Sequence, residues 1–532
     1  MPRYLHTLLV ALALPAVVWA QGNLADDIEL VETRREAPKL AAAGAYVPQN
    51  NVVEVELSEY AGYAGLIVAN GGLEPNPESI FAKKYGFQVK LTLSEEESWS
   101  SLNKGKMAAS ATTVDVLACY GKQFQVEVPG LIGFSRGATG LVVRRDVRNI
   151  NDLKGKTLAT AQFTEADFLI RYLAQEAGLG VNMLDDLGQK PDPEKVNLVF
   201  CADAFGAGDL FLRDVQAGRN RLAGCVTWAP KTTDVVEASG GKAKLLMTNT
   251  NLLIVADVLI VNKGFAQQQP EKVKGLVQGM LEGNDLVQTE PDKHLPVIAR
   301  AFGWEVADAK SELAKVHLAN LPENKAFFDG TIDAAGSFGF IYETAAYVYG
   351  ELIGGVPEFD RWVNTAGLEA ADRSGRFAQQ KASITPIRAG GSAEQTEDAA
   401  SQEKAALLSK DIIFEFMPNS AKLVETPENT KDLQSIARLL QISPGSTVML
   451  RGHADGSRLP EFKAQGEAKV RQMTLVLKTL SRSRCIEIRD LLVERHKIDQ
   501  SRLETQGVGA EEPTGKGPDA DRRVEVQWFT LE

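Results

Sequence analysis

Alternation of apolar and polar positions divides the chain into short units that repeat in kind. "VVEVELSEYAG" (52–62) alternates with a period of two, as a half-buried strand does, and runs into a loop. "PESIFAKKYG" predicts a short helix closed by Gly86, and "FQVKLTLS" a second alternating strand. "EEESWSSLNKGK" predicts a helix whose acidic residues stand in the first turn, where the macrodipole favours them. "MAASATTVDVLACYG" is a third strand-to-helix passage. This β-α-β-α rhythm predicts a parallel sheet with helices on its faces. It continues through "GATGLVVRRD", the amphipathic stretch ending at Gly178, "VNLVFCADAF", "RLAGCVTWAP" and "NLLIVADVLIVNKGF". Helical periodicity dominates from "PEKVKGLVQGMLEGN" to "IYETAAYVYGELIGG".

The pattern breaks at residues 371–405, which are rich in Ala, Gly, Ser and Gln and poor in large apolar residues. Such a composition predicts a linker, set at 371–407. If about 20 of its residues are flexible, it spans roughly 25 Å. Beyond it, "DIIFEFMPNSAKLVETPENTKDLQSIARLLQISPGSTVMLRGHAD" reads strand, helix, strand, and opens a smaller α/β domain over 408–532. No internal repeat is visible. A length of 532 residues fits two to four domains.

Composition narrows the function classes. Hydrophobic residues make up 44% and charged residues 24%, a globular balance. The net charge of −12 offers no basic field for nucleic acid. It does not exclude an anionic small ligand, because one Arg or a helix N-terminus can bind it. At the start, Arg3 precedes the apolar run Leu8–Trp19, too short to span a bilayer comfortably, and Val18 and Ala20 occupy the small-residue positions of a cleavage site. Residues 1–20 are therefore expected to be a signal peptide, followed by a polar arm over 21–49. No Cys lies nearby to carry a lipid. No later apolar stretch is long enough to cross a membrane, so the mature chain is expected to be soluble.

The four cysteines, Cys119, Cys201, Cys225 and Cys485, form no metal-binding spacing. Cys201 and Cys225 could pair in an oxidising compartment, but all sit beside apolar runs and buried free thiols are the preferred reading. No Walker A, HExxH, GxSxG or strand-following GxGxxG motif occurs, so neither enzyme chemistry nor a cofactor or metal is expected.

"SEYAGYAGLIVANGG", "ATTVDVL", "SRGATGLVVRRDVRNINDLKGKTLAT", "FLIRYLAQEAGL", "AGCVTWAP" and "ADVLIVNKGF" follow one another in an order that resembles the periplasmic solute-binding proteins of the nitrate, sulfonate, taurine and thiamine-precursor type. The resemblance covers about 50–350. It implies a type II fold over 50–370, with lobe one at about 50–140 and 253–370 and lobe two at about 141–252. It also implies a ligand between the lobes and hinge closure. Polar residues gather at strand ends, where ligands of parallel sheets sit: Ser58, Glu59 and Tyr60, then Thr112 and Thr113. The candidate ligand residues are Tyr60, Tyr63, Thr112, Thr113, Trp228 and Asp257. Each has a plainer reading: lobe packing for the tyrosines, helix capping for the threonines, core for Trp228, an internal ion pair for Asp257. Arg136 and Arg144 are possible anion partners, with a solvated face preferred. A related eukaryotic branch makes a pyrimidine with a Cys-rich iron site; no Cys cluster here supports that chemistry.

"IIFEFMPNSAKL", "LRGHAD", "LSRSRCIEIRDLLVERHKIDQSRLETQGVG" and "DRRVEV" resemble the OmpA-like, peptidoglycan-associated domain over about 408–530. That resemblance implies a βαβαββ module that grips the ammonium and carboxylate of a diaminopimelate side-chain end with one carboxylate and one guanidinium. Asp455 matches the family's carboxylate and Arg484 its arginine, and Arg523 is a further candidate contact. Asp455 and Arg484 stand 29 residues apart, about twice the family's usual gap, so Arg471 competes for the role. The extra stretch is expected to extend or double a helix. Ala454 and Asp521 replace the family's Thr and Asn, and a charge at 521 would weaken carboxylate binding. A structural ion pair is the other reading of Asp455 and Arg484.

Together the two resemblances imply a periplasmic, cell-wall-associated receptor. It would take a small anionic or zwitterionic solute, serve an ABC permease of the inner membrane, and be held by peptidoglycan. A wall-anchored ligand sensor, or an envelope scaffold without a transport role, is the alternative.

Overall fold

The computed structural model of the protein describes residues 30–94, 98–331, 336–382 and 406–529. The expected signal peptide and residues 383–405 of the expected linker lie outside the described residues. Among the described residues sixteen strands form three sheets. They are β1 (Val52–Leu57), β2 (Gln88–Leu93), β3 (Ala109–Thr113), β4 (Val126–Ser135), β5 (Thr139–Arg144), β6 (Thr157–Ala161), β7 (Gly180–Met183) and β8 (Lys195–Cys201). The rest are β9 (Gly224–Trp228), β10 (Ala243–Thr248), β11 (Ala256–Asn262), β12 (Val316–Leu318), β13 (Leu408–Ile412), β14 (Thr447–His453), β15 (Leu503–Gly509) and β16 (Val524–Phe529).

The first sheet has the order β12-β4-β11-β3-β1-β2 and the second β10-β5-β9-β6-β8-β7. In both, one antiparallel strand at a crossing between lobes interrupts the parallel strands: β11 beside β3 and β4, β5 beside β9 and β10; in the first sheet the edge strand β12 also runs antiparallel to β4. Two crossings, β4 to β5 and β10 to β11, join the sheets. This is the expected two-lobed, type II periplasmic-binding-protein fold, and it turns the strand ends of both lobes toward one cleft.

Lobe one depends on a close helix contact. The helix Ala64–Asn70 lies on the helix Pro270–Thr289, and a Cβ at Gly283 would strike the carbonyl oxygen of Gly65. Next in sequence, Asn284 donates to the carbonyls of Ile132 and Ala319, each at 2.9 Å. Gly283→Ala is therefore expected to destabilise the protein by about 2 kcal/mol, overpacking outweighing the roughly 1 kcal/mol of helix propensity that Ala adds. A lowered urea midpoint checks this.

The arm is fastened, not loose. Val31 N–H donates to Phe200 O and Thr33 Oγ1 to Leu184 O in lobe two, while Leu40 N–H donates to Gln123 Oε1 in lobe one. The first part of the expected linker is also packed. Residues 366–373 are helical, and Ala371 and Phe377 are buried against Val277 and Leu281. The flexible reach expected of residues 371–382 does not apply to them. The four cysteines are buried free thiols, and burial pushes Cys201 up to about 12.

The third sheet has the order β13-β16-β14-β15 and carries the helices Pro427–Ile442 and Glu467–His496. The expected extra stretch lengthens one helix to 30 residues, of which only Ser481, Cys485, Ile488 and Leu492 are buried; Leu475 and Val476 stand exposed near its start. This module docks on lobe two. Ile150 N–H donates to Leu407 O, and Asn151 and Ser409 exchange two hydrogen bonds at 2.8 and 2.9 Å. Leu253, in the second crossing, donates its N–H to Ile442 O at 2.9 Å. Arg438 pairs with the buried Glu176 and lies over the Tyr347 ring. Among the described residues no helix is long and apolar enough to cross a membrane.

Candidate functional site

Three backbone features aim side chains into the cleft. After β1 the chain turns at Ser58 and presents Tyr60 and Tyr63, whose rings meet edge to face at 5.2 Å. β3 ends at Thr113, which occupies the N-cap of the helix Val114–Tyr120 but makes no capping hydrogen bond. β11 sets Asp257 directly opposite Thr113 in the antiparallel register. From lobe two come Trp228, the last residue of β9, and Glu165, the first residue of the helix Glu165–Glu176. Phe163, two residues earlier, holds φ at 62°, a left-handed conformation that costs a non-glycine residue energy and here sets the turn before Glu165.

All six solute-site candidates (Tyr60, Tyr63, Thr112, Thr113, Trp228 and Asp257) line one cleft of about 630 Å³. Glu56, Trp99, Ser135 and Glu165 line it too and were not singled out from the sequence. Glu56 looks there like one more solvent-side residue of an alternating strand, and Glu165 like an ordinary first-turn acid. Trp228 is half-buried against Phe205 at 5.8 Å rather than lost in the core. The capping reading of Thr113 does not hold, because its Oγ1 has no partner.

The electrostatics follow from burial. Tyr63 Oη donates to Asp257 Oδ1 at 3.2 Å, leaving Asp257 Oδ2 without a partner. Burial lifts Asp257 to about 8; its tyrosine hydrogen bonds oppose the rise and the Asp115 charge adds to it. Burial likewise lifts Asp115 to about 7. Both tyrosine hydroxyls are pushed well above 10, first by burial and then by Asp257. Ser135 Oγ and Trp228 Nε1 are also buried and unpartnered.

The expected anion partners lie elsewhere. Arg144 is held by Asp214 and by the carbonyls of Arg219 and Leu222. Arg136 donates to Thr250 O beside the crossing. Neither lines the cleft, and no described lining residue is Lys, Arg or His. The described lining therefore offers an anion no charged side-chain partner and leaves only the helix N-termini after Thr113 and at Glu165 to meet one.

In the third sheet, the "GHAD" turn follows β14. A Cβ at Gly452 would strike Ser481 O and Cys485 Sγ, so glycine lets the long helix approach the strand. That approach brings Arg484 to a small pocket shared with Phe416, His453, Ser481, Arg522 and Arg523. Arg484 is half-buried, lies 4.7 Å over the Phe416 ring and donates to Ser420 O. Burial and then the Arg522 charge lower its pKa. Asp455 pairs with Arg522 at 3.1 Å and accepts from Ser457 N–H. Asp455 and Arg484 therefore flank one arginine rather than pairing with each other, and Arg522, not Arg523, is the nearer partner. Arg523 pairs with Asp411 at 3.0 Å. Arg471 points into solvent, paired only with Glu467 one turn away. Asp521 is engaged by Thr514 through N–H and Oγ1.

A nearby group of His453, Glu512 and Glu525 has metal-ligand chemistry. Arg451 bridges both carboxylates, each at 2.7 Å, and already supplies the positive charge.

Comparison with known families bears on both regions. Residues 103–294 match the NMT1/THI5 like family model, and residues 415–526 match the OmpA family. The chain joins an NMT1/THI5-like domain to an OmpA-family domain. Solved structures similar to the NMT1/THI5-like part include the periplasmic aliphatic sulphonate binding protein SsuA from Escherichia coli, at 13% identity and TM-score 0.44, covering 60% of this chain and 98% of that one. The alkanesulfonate-binding protein SsuA from Xanthomonas axonopodis pv. citri, bound to MOPS, matches at 14% identity and TM-score 0.45, covering 60% and 99%. The periplasmic nitrate-binding protein NrtA from Synechocystis PCC 6803 matches at 14% and 0.43, covering 62% and 90%. No curated protein sequence matches the chain.

Proposed function

We propose that the protein is a periplasmic receptor that closes its two lobes on a small solute, passes it to an ABC permease, and is held to peptidoglycan by its OmpA-family domain. The observation that carries the receptor half is the cleft. Buried polar atoms without partners, Asp257 Oδ2, Thr113 Oγ1, Ser135 Oγ and Trp228 Nε1, converge there from both lobes and the crossings. Orphaned buried polar groups are costly, so a site that collects several is prepared for a ligand that satisfies them. The anchor half rests on Arg484 and Arg522, which line one pocket, and on Asp455, which pairs with Arg522 beside it: guanidinium groups and a carboxylate suited to a zwitterionic amino-acid end.

Native mass spectrometry of the purified full chain tests the receptor half. A bound small molecule is expected, lost on unfolding and refolding, and its return should raise the melting temperature. Uptake measurements with and without the gene separate transport from signalling: unchanged uptake with a lost solute response would favour a wall-anchored sensor.

A further inference from the structure

Resting on that receptor reading, we propose that the solute carries a cationic amine and that Asp257 is its counter-ion. The described lining holds three carboxylates, Glu56, Asp257 and Glu165, and no basic side chain. Acidic residues alone would mean little. Here, however, Asp257 lines the cleft while only 3% exposed, and its Oδ2 makes no hydrogen bond while Tyr63 occupies Oδ1. Thr113 and Ser135, 6% and 2% exposed, add unpartnered hydroxyls. An ammonium group has three donors and no acceptor, so it matches the carboxylate oxygen and hydroxyls gathered here, while Trp228 Nε1 is left for an acceptor elsewhere on the solute. Trp228 and Trp99, also in the lining, give aromatic faces that attract a cation. An anion would instead meet Glu56 and Glu165 with no basic side chain in the described lining to offset them.

The charges around Asp257 support the same assignment. Asp115 on the helix after β3, Glu165 across the cleft, and Tyr60 and Tyr63 after β1 all face this region, and none is cationic. Burial therefore keeps Asp257 protonated up to about pH 8 until a cation binds. A cation binds the ionised form, so the carboxyl must give up its proton to solvent. Below the pKa, apparent affinity rises as protons become scarcer; above it, affinity levels off. An alkylamine stays protonated throughout this range.

The test is calorimetry and thermal shift on the full mature chain with butylamine, 1,4-diaminobutane and 4-aminobutyrate, set against butanesulfonate and nitrate. At least one amine is expected to bind more tightly than either anion, about tenfold more tightly at pH 9 than at pH 7, with proton release below pH 8. Asp257→Asn should cost about a hundredfold and remove the pH dependence. Glu165→Gln, in the other lobe, should cost about tenfold and keep the pH dependence; circular dichroism confirms that both variants fold. Tighter binding of butanesulfonate or nitrate, or amine binding that is flat from pH 7 to 9 and indifferent to Asp257→Asn, overturns the inference and leaves the receptor reading intact. A co-purified ligand without a basic nitrogen does the same. If nothing of either charge binds and nothing co-purifies, both readings fall.

Discussion

Replacing Arg484 with alanine is expected to release the full chain from peptidoglycan sacculi in a co-sedimentation assay. A charge-assisted hydrogen bond lost from a desolvated site costs about 3 kcal/mol, roughly a hundredfold in affinity. Arg484 also covers the Phe416 ring and holds Ser420 O, so some stability is lost with it. Arg484→Lys separates the two effects: the charge stays, but the planar fork does not. It should retain the fold and lose most of the binding. Asp455→Asn should match the alanine variant in binding, because Asp455 pairs with Arg522, a residue of the pocket, and holds it in place. Arg471→Ala is the control, and its solvent-facing side chain predicts sedimentation indistinguishable from the parent. If Arg471→Ala abolishes binding and Arg484→Lys does not, the assignment of the arginine is wrong.

The second large effect is expected from Trp528→Ala. Trp528 is fully buried in β16, the strand between β13 and β14. Truncating a buried Trp leaves a cavity and costs about 3–5 kcal/mol, much of the stability of a domain this size. The backbone makes the site doubly sensitive. Leu407 N–H donates to Trp528 O, and Leu407 O in turn accepts from Ile150 N–H of lobe two. Loosening β16 therefore loosens the contact between the modules. Differential scanning calorimetry should show the OmpA-family domain melting first as a separate low-temperature transition, while the solute-binding lobes melt near their original temperature. A single unshifted transition would contradict the role given to Trp528.

Most of the fold was legible because it is written in local patterns. Period-two strands and capped helices in alternation specify parallel sheets, and "GHAD", "LSRSR" and "DRRVEV" place the second module's chemistry at recognisable positions. What stayed hidden depends on long-range geometry. Glu56 and Glu165 enter the cleft only because two lobes face each other, and no local pattern distinguishes them from solvated acids. The unusual spacing between Asp455 and Arg484 left the arginine open in the sequence. Only in space does Gly452 let the helix settle on β14, which puts Arg484 at the pocket and leaves Arg471 beside Glu467. The acidic character of the cleft was missed for the same reason: Arg136 and Arg144 lie near its strands in sequence but bond away from it in space. The packed segment 366–382 was obscured by its small residues, which look like a linker although Ala371 and Phe377 serve as core.

The bonds from Asn151 to Ser409 and from Leu253 to Ile442 join the OmpA-family module to one jaw and to the strip on which both jaws turn. On the proposed function, the sacculus grips the receptor chiefly by its second lobe, with Arg438 over Tyr347 a smaller contact on the first. The stationary half is then the one carrying Trp228 and Glu165, and the travelling half is the one carrying Tyr60 and Tyr63. A mooring of this kind fixes the direction in which the mouth opens, so a whole population of receptors would present it at one common tilt to the membrane beneath.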